Sequence, residues 1–258
     1  MSYASPLSRR AFLAASSATA AASLLPVTAQ ESPITAATST LVITSNFAQG
    51  SDGWLPVFTD YNLVVSGFEF LAEVRTLPAY VEVPRPFRQA YYLQSHNRSD
   101  DVFMFLKKVL THEDGIVENT AYRLSFDIWL ASNAGDCPGA GGDAGTSVYL
   151  KAGGSTQEPV PLLMPNGYLS VTIDKGNQSE GGREMGVVGN ISNGGSCEEP
   201  RYVLLRKSYQ HPDPIRSSAS GDLWIAVGTD SGYEGLTGLY YYQVRVRLRR
   251  VSSTAQEQ

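Results

Sequence analysis

The sequence predicts an all-β sandwich, and three observations carry the prediction. From Leu41 onward, short apolar or alternating runs are bounded by Gly, Pro, Asn and Asp. No window holds a helical period over three turns. Two runs alternate strictly, Tyr122–Leu130 and Tyr242–Arg249, as half-buried strands do.

Taken in order, the runs give about 10–11 strands: Thr40–Phe47, Val64–Val74, Ala90–Ser95, Val102–Leu110, Ala121–Leu130, Thr146–Lys151, Tyr168–Asp174, Met185–Val188, Arg201–Lys207, Asp222–Val227 and Gly238–Arg249. Val102 to Leu106 is apolar at every position, so both faces of that strand are expected to be covered and the strand to lie mid-sheet. In Tyr122–Leu130, Tyr122, Leu124, Phe126, Ile128 and Leu130 point one way; Arg123, Ser125, Asp127 and Trp129 point the other. The last strand sends Arg245, Arg247 and Arg249 outward, a row read as a solvated face. Long irregular stretches at Ser132–Gly145, Asp174–Gly182 and Gly189–Pro200 interrupt the pattern, and loops of that length tend to be functional or disordered.

The N-terminus resembles a bacterial twin-arginine signal peptide: Arg9-Arg10, then Phe12-Leu13, an alanine-rich run to Leu25, and small residues up to Ala29. The run is too short and too weakly apolar to span a bilayer, which needs about 20 apolar residues. The expected organisation is therefore a signal peptide over 1–29, a flexible lead-in over 30–40, a sandwich domain over 41–251 and a frayed tail over 252–258. The resemblance implies a periplasmic or secreted protein that meets the twin-arginine translocase during export, and no later segment is a transmembrane candidate. Cys137 and Cys197 are the only cysteines, and an even pair in an exported chain reads as a disulfide, two free thiols being the alternative. Net charge is −5 with both signal arginines counted, so the exported part is more acidic still, which argues against nucleic acid as the partner.

The densest polar group is His96-Asn97-Arg98-Ser99-Asp100-Asp101, wedged between apolar runs. It reads either as a structural network, with Arg98 pairing Asp100 or Asp101 across a tight turn, or as a ligand site. Together with the polar turns at Asp174, Asn177, Asp230 and Glu234, the candidate ligand-binding residues are Asn97, Arg98, Asp100, Asp101, Asp174, Asn177, Asp230 and Glu234. The acidic turns offer hard oxygen donors, so Ca²⁺ is the candidate cofactor, with Asp101, Asp230 and Glu234 as its ligands, although no EF-hand spacing is present. No catalytic residue is assigned: the three histidines form no HExxH, no GxSxG elbow precedes a helix, and the carboxylates show no spacing rule. Trp54, Trp129, Tyr233, Tyr240, Tyr241 and Tyr242 are candidates for exposed sugar-stacking rings.

The blocks Ser95–Lys108, Ser147–Gly153, Ile173–Ser179 and Val227–Gly235 resemble recurrent blocks of a family of exported bacterial proteins, which implies a shared fold and transfers no activity. Asn46-Phe47 followed by Gly53-Trp54 resembles the opening of jelly-roll carbohydrate-binding modules. The resulting expectation is a jelly-roll-like β-sandwich acting as a non-catalytic glycan or envelope-ligand binding module. A carboxylate-dependent glycan hydrolase or lyase, and a structural or adhesive envelope protein, are the alternatives.

Overall fold

The computed structural model describes residues 40–84, 86–98 and 101–251. The expected signal peptide, nearly all of the lead-in, the tail and the candidate residue Asp100 lie outside the described residues. Seventeen strands follow in order: β1 (Thr40–Ser45), β2 (Leu55–Thr59), β3 (Tyr61–Asn62), β4 (Leu71–Thr76), β5 (Gln89–His96), β6 (Val102–Leu110), β7 (Ala121–Ser132), β8 (Pro138–Gly139), β9 (Gly142–Asp143), β10 (Val148–Ser155), β11 (Pro161–Leu163), β12 (Tyr168–Val171), β13 (Met185–Asn190), β14 (Val203–Gln210), β15 (Ile215–Arg216), β16 (Leu223–Ser231) and β17 (Leu236–Arg250). Among the described residues, helix is limited to one 3₁₀ turn at His112–Asp114, closed by Gly115 in the left-handed region.

Two antiparallel sheets form the sandwich. The first runs β14-β7-β17-β5-β4, with β15 on β7 and β1 continuing the edge of β17 where β5 leaves it; the second runs β13-β10-β16-β6-β2. Stripped to eight strands, the orders are β5-β17-β7-β14 and β6-β16-β10-β13. The chain therefore visits the two sheets in jelly-roll alternation, with first and last strands paired, and the all-β, jelly-roll reading of the sequence holds.

The core is made by the inward phase of each strand. Tyr122, Leu124, Phe126, Ile128 and Leu130 of β7 meet Met104, Leu106, Leu150, Ile225 and Val227 of the second sheet. In β17 the inward set begins as Leu239 and Tyr241 and continues as Val244, Val246 and Leu248. That change of phase is made by a β-bulge between Tyr241 and Gln243, where one extra residue flips the alternation. It also sends Tyr240 and Tyr242 to the outer face, where they pack with Tyr92, Leu77 and Ala131. The expected exposed aromatics are corrected accordingly: Trp54, Tyr240, Tyr241 and Tyr242 are buried, and only Trp129 and Tyr233 are half-exposed. Trp54 donates its indole N–H to Ser45 Oγ at 2.8 Å.

Three further departures have local causes. The strand expected from Val64 starts only at Leu71, because Gly67 and Glu69 take positive φ (84° and 52°) and break the ladder. Strand β2 went unread because it contains Pro56, and it lies where proline is tolerated, at the sheet edge with β6 as its single partner. The arginine row is less free than expected. Arg247 Nη1 reaches Asp127 Oδ2 at 2.7 Å, Arg206 Nη2 reaches Asp127 Oδ1 at 3.1 Å, and Arg206 and Arg245 stand over the Trp129 ring. Cys137 and Cys197 are disulfide-bonded across a separation of 60 residues, tying the β7–β8 loop to the one that follows β13.

The outer face of the second sheet positions the site. Phe103 and Phe105 of β6 point outward and stack at 4.5 Å, covered by Val171, Ile173 and Met185. This explains why the strand is apolar on both faces. Gly228 of β16 is needed beneath them, since a Cβ there would come within 2.2 Å of Phe105 Cβ.

Candidate functional site

Alternation places the charges. Val148, Leu150 and Ala152 of β10 face the core, so Lys151 faces outward. In β16 the inward Ile225 and Val227 leave Asp230 outward. Asp101 immediately precedes β6, Asp60 immediately follows β2, and Lys175 lies in the segment after β12 that closes over this face. All five side chains meet beneath that segment. Lys151 and Asp230 are fully buried, and Asp60 and Lys175 nearly so.

Asp230 is the hub. Its Oδ2 accepts from Lys151 Nζ at 2.9 Å, Lys175 Nζ at 2.7 Å and the Gln178 backbone N–H at 2.8 Å. Lys175 also holds Asp60 Oδ2 at 2.8 Å, and Lys151 donates to the Lys175 and Glu180 carbonyls at 2.7 and 2.8 Å. The Oδ1 atoms of Asp101 and Asp230 are buried and have no partner if both groups are ionised. A proton on Asp101 turns the pair into a hydrogen bond.

The electrostatics agree with that proton. Burial, then the Asp230 charge, push Asp101 up to about 8. Burial would raise Asp230 too, but the Lys175 charge, the Asp101 hydrogen bond and Lys151 hold it below the ordinary range. Burial raises Asp60 against the pull of Lys175 and lowers Lys151 against the pull of Asp230. Lys175, although burial opposes its charge, is raised by Asp230 and Asp60. With Asp101 neutral, two carboxylates face two ammoniums, the balance a buried ionic cluster requires.

This balance bears on the calcium expectation. Ligand oxygens of Asp60, Asp101 and Asp230 do lie within 4.8 Å of one another. However, Oδ2 of Asp60 and Oδ2 of Asp230 are already held by ammonium groups, which leaves the triad's other oxygens as the donors a metal ion would use, and the cluster is not completed by Glu234. That residue sits in the β16–β17 turn, where its backbone N–H donates to Ala140.

The Asp101 proton gives a testable pH dependence. In the unfolded chain this acid titrates near 3.8, in the native state near 8. Between those values the native state holds a proton that the unfolded state has released, so this group's contribution is complete below the window and is lost as pH rises through it. We expect Asp101→Asn, which keeps a donor without titrating, to flatten the fall in thermal midpoint between about pH 5 and 8. Parallel slopes for wild type and variant would show that Asp101 does not carry the proton.

Above the cluster opens a cleft of ≈ 260 Å³ lined by Asp60, Asp101, Tyr168, Ser170, Asp174, Lys175 and Asn177, among others. Tyr168 OH lies 3.4 Å from Asp101 Oδ2, and burial, then the Asp101 charge, raise the phenol. Asp174 is held ionised by the Arg183 backbone N–H at 3.2 Å, with the Arg183 guanidinium at 3.2 Å and Gly176 N–H adding to the effect.

The sequence-predicted residues divide into three groups. Asp101, Asp174 and Asn177 line the cleft, and Asp230 forms its buried floor. Asn97 and Arg98 are elsewhere and work structurally: Asn97 Nδ2 donates to the Ser231 and Tyr233 carbonyls at 2.9 and 3.1 Å, pinning the end of β5 to the β16–β17 turn. Among the described residues Arg98 does not pair with Asp101, one of its two expected partners. It donates to Gly67 O, Glu69 Oε1 and the His96 ring, which fastens the irregular 63–70 segment. Glu234 joins neither group. Sequence reasoning missed Lys151, Lys175, Tyr168 and Ser170. Lys151, a lysine inside an otherwise apolar and glycine strand, was the available signal.

The fold and the cleft thus define a jelly-roll β-sandwich that carries a polar cleft over a buried lysine–aspartate floor. No protein-family profile and no curated protein matches the sequence. Among solved structures, the chain is similar to the CBM22-1 xylan-binding domain of Xyn10C from Paenibacillus barcinonensis, at 14% identity over 84% of this chain and 98% of that one, with a TM-score of 0.39. It is also similar to the K1 cleaved adhesin domain of Lys-gingipain from Porphyromonas gingivalis (10% identity, 80% and 96% covered, TM-score 0.36). A third is TmCBM61 in complex with β-1,4-galactotriose (11% identity, 74% and 86% covered, TM-score 0.34).

Proposed function

We propose that the protein is an exported, non-catalytic glycan-binding module of the bacterial cell envelope, periplasmic or secreted, and that its ligand sits in the cleft beside Asp101. One observation carries this reading: hydrogen-bonding side chains from three separate segments, Asp101, Tyr168 and Ser170, and Asp174 and Asn177, converge on one open cleft of ≈ 260 Å³. Acceptors, hydroxyls and an amide in that mixture match the alternating donors and acceptors of sugar hydroxyls. The volume lies just under the ~300–1,000 Å³ of drug-sized sites, which suits a short stretch of saccharide. Export is supported by the paired arginines of the N-terminus, which would engage the twin-arginine translocase, and by the oxidised cysteine pair. No helix among the described residues is long and apolar enough to cross a membrane.

The hydrolase alternative has less support. Glycoside hydrolysis uses carboxyl pairs about 5–9.5 Å apart with one free to attack or to activate water, whereas Asp60 and Asp230 are locked in ion pairs at 2.7–2.9 Å. A glycan array is the test. The protein is expected to bind a defined set of glycans equally well with calcium and with chelator. Tyr168→Phe combined with Asn177→Ala should weaken binding about tenfold, two lost hydrogen bonds at roughly 0.5–1.5 kcal/mol each. Silence across the array, or full affinity in the double variant, would remove this reading.

A further inference from the structure

The geometry points to a covalent modification: an intramolecular amide between Lys151 Nζ and Asp230 Cγ, formed with loss of water and assisted by Asp101. Four observations support it. Nucleophile and electrophile are neighbours, with Nζ 2.9 Å from Oδ2 of the carboxyl group it would attack. Both side chains are fully excluded from solvent, so the water released is not replaced and hydrolysis is disfavoured. Oδ2 already receives Lys175 Nζ at 2.7 Å and the Gln178 N–H at 2.8 Å, two donors aimed where negative charge grows on a tetrahedral intermediate. Oδ1 is buried, without a partner once Asp101 is ionised, and Asp101 is the neighbouring acid that can protonate it.

The steps balance. A proton is transferred within the Lys151–Asp230–Asp101 cluster so that the Lys151 ammonium becomes the amine and Asp230 becomes the acid with its proton on Oδ1, the oxygen beside Asp101, Asp101 ending the step in its acid form. The nitrogen lone pair attacks Cγ, and the developing oxyanion on Oδ2 is met by Lys175 and the Gln178 amide. Asp101 gives its proton to the Oδ1 hydroxyl, the Cγ–Oδ1 bond breaks, and water departs as the carbonyl reforms. The Asp101 carboxylate then takes one proton from the nitrogen and returns to its acid form. Ammonium and carboxylate have become amide and water, with no oxidant and no external reactant. Lys151 is the nucleophile because burial favours its neutral amine, whereas Lys175 is held charged between Asp230 and Asp60.

Intact-mass spectrometry of the purified, reduced and alkylated full chain tests this directly. The mass is expected one water below that of the sequence counted from the observed N-terminus, and a proteolytic map should contain a branched peptide joining Lys151 to Asp230. Lys151→Arg keeps the charge but should restore the full mass, and Asp101→Ala should abolish or greatly slow closure. Asp101→Asn provides the same test should the alanine variant not fold. A folded wild-type protein of unmodified mass would overturn the proposal; a branch at Lys175 would overturn the assignment of the nucleophile; closure at full rate without the Asp101 carboxyl would overturn its role.

Discussion

Replacing Asp230 with alanine is expected to cost about 3–5 kcal/mol of stability, the penalty for stranding buried charge by removing one partner. Asp230 Oδ2 is the acceptor shared by Lys151, Lys175 and the Gln178 amide. Its loss leaves Lys151, with no solvent access, bound only to two carbonyls. Denaturant unfolding of the variant measures the effect. Because the segment carrying Lys175 and Gln178 is fastened through this carboxylate, the variant should also lose ligand binding in the cleft under conditions where it is folded. A change below about 1 kcal/mol, the ordinary effect of a surface substitution or less, would show that the cluster is solvated.

Reduction of Cys137–Cys197 is expected to have the next largest effect. Closing a loop of 60 residues is worth about 4 kcal/mol on the chain-entropy account. For a domain of this size that corresponds to a fall of ~10 °C in thermal midpoint. The bridge joins two glycine-rich loops that pack closely, since a Cβ on Gly135 would come within 2.3 Å of Gly195 O. Loss should therefore appear first as faster proteolysis within 133–147 and 191–201, while the cleft, built from other segments, keeps its affinity. An unchanged midpoint on verified reduction would mean that the bridge is without consequence.

The fold was legible where periodicity reports burial on one face. Strands β6, β7 and β17 are placed by their apolar pattern, and the jelly-roll order follows once first and last strands pair. Strand β2 was hidden because Pro56 is a sheet breaker everywhere except at an edge, and which strand ends at an edge is a tertiary fact. The candidate site was legible only in part, for a related reason. Asp101, Asp174, Asn177 and Asp230 stood out as polar residues beside apolar runs, but so did Asn97 and Arg98, which serve as fasteners. A polar residue at a strand end looks the same in sequence whether its partner is a backbone carbonyl or an open cleft. Lys151 and Lys175 gain their significance from sharing one oxygen atom, although they lie 79 and 55 positions from Asp230. The calcium expectation meets the same difficulty: of its three ligands only Asp101 and Asp230 reach the acidic triad, and a count of acidic residues gives no information about which cations are already beside them.

Strand β17 has a consequence for how the protein is made. It is the last of the described strands and yet lies inside its sheet, with β7 along one edge and β5 and β1 sharing the other. Until residue 250 has left the ribosome, β5 and β7 have no common neighbour, and three strands synthesised early wait with open hydrogen-bonding edges. Non-local pairing of this kind is slow and prone to misassociation. The first sheet therefore closes only once β17 has been made, and a chain truncated before Leu236 is expected to accumulate as an aggregation-prone half-sandwich, not as a smaller folded domain.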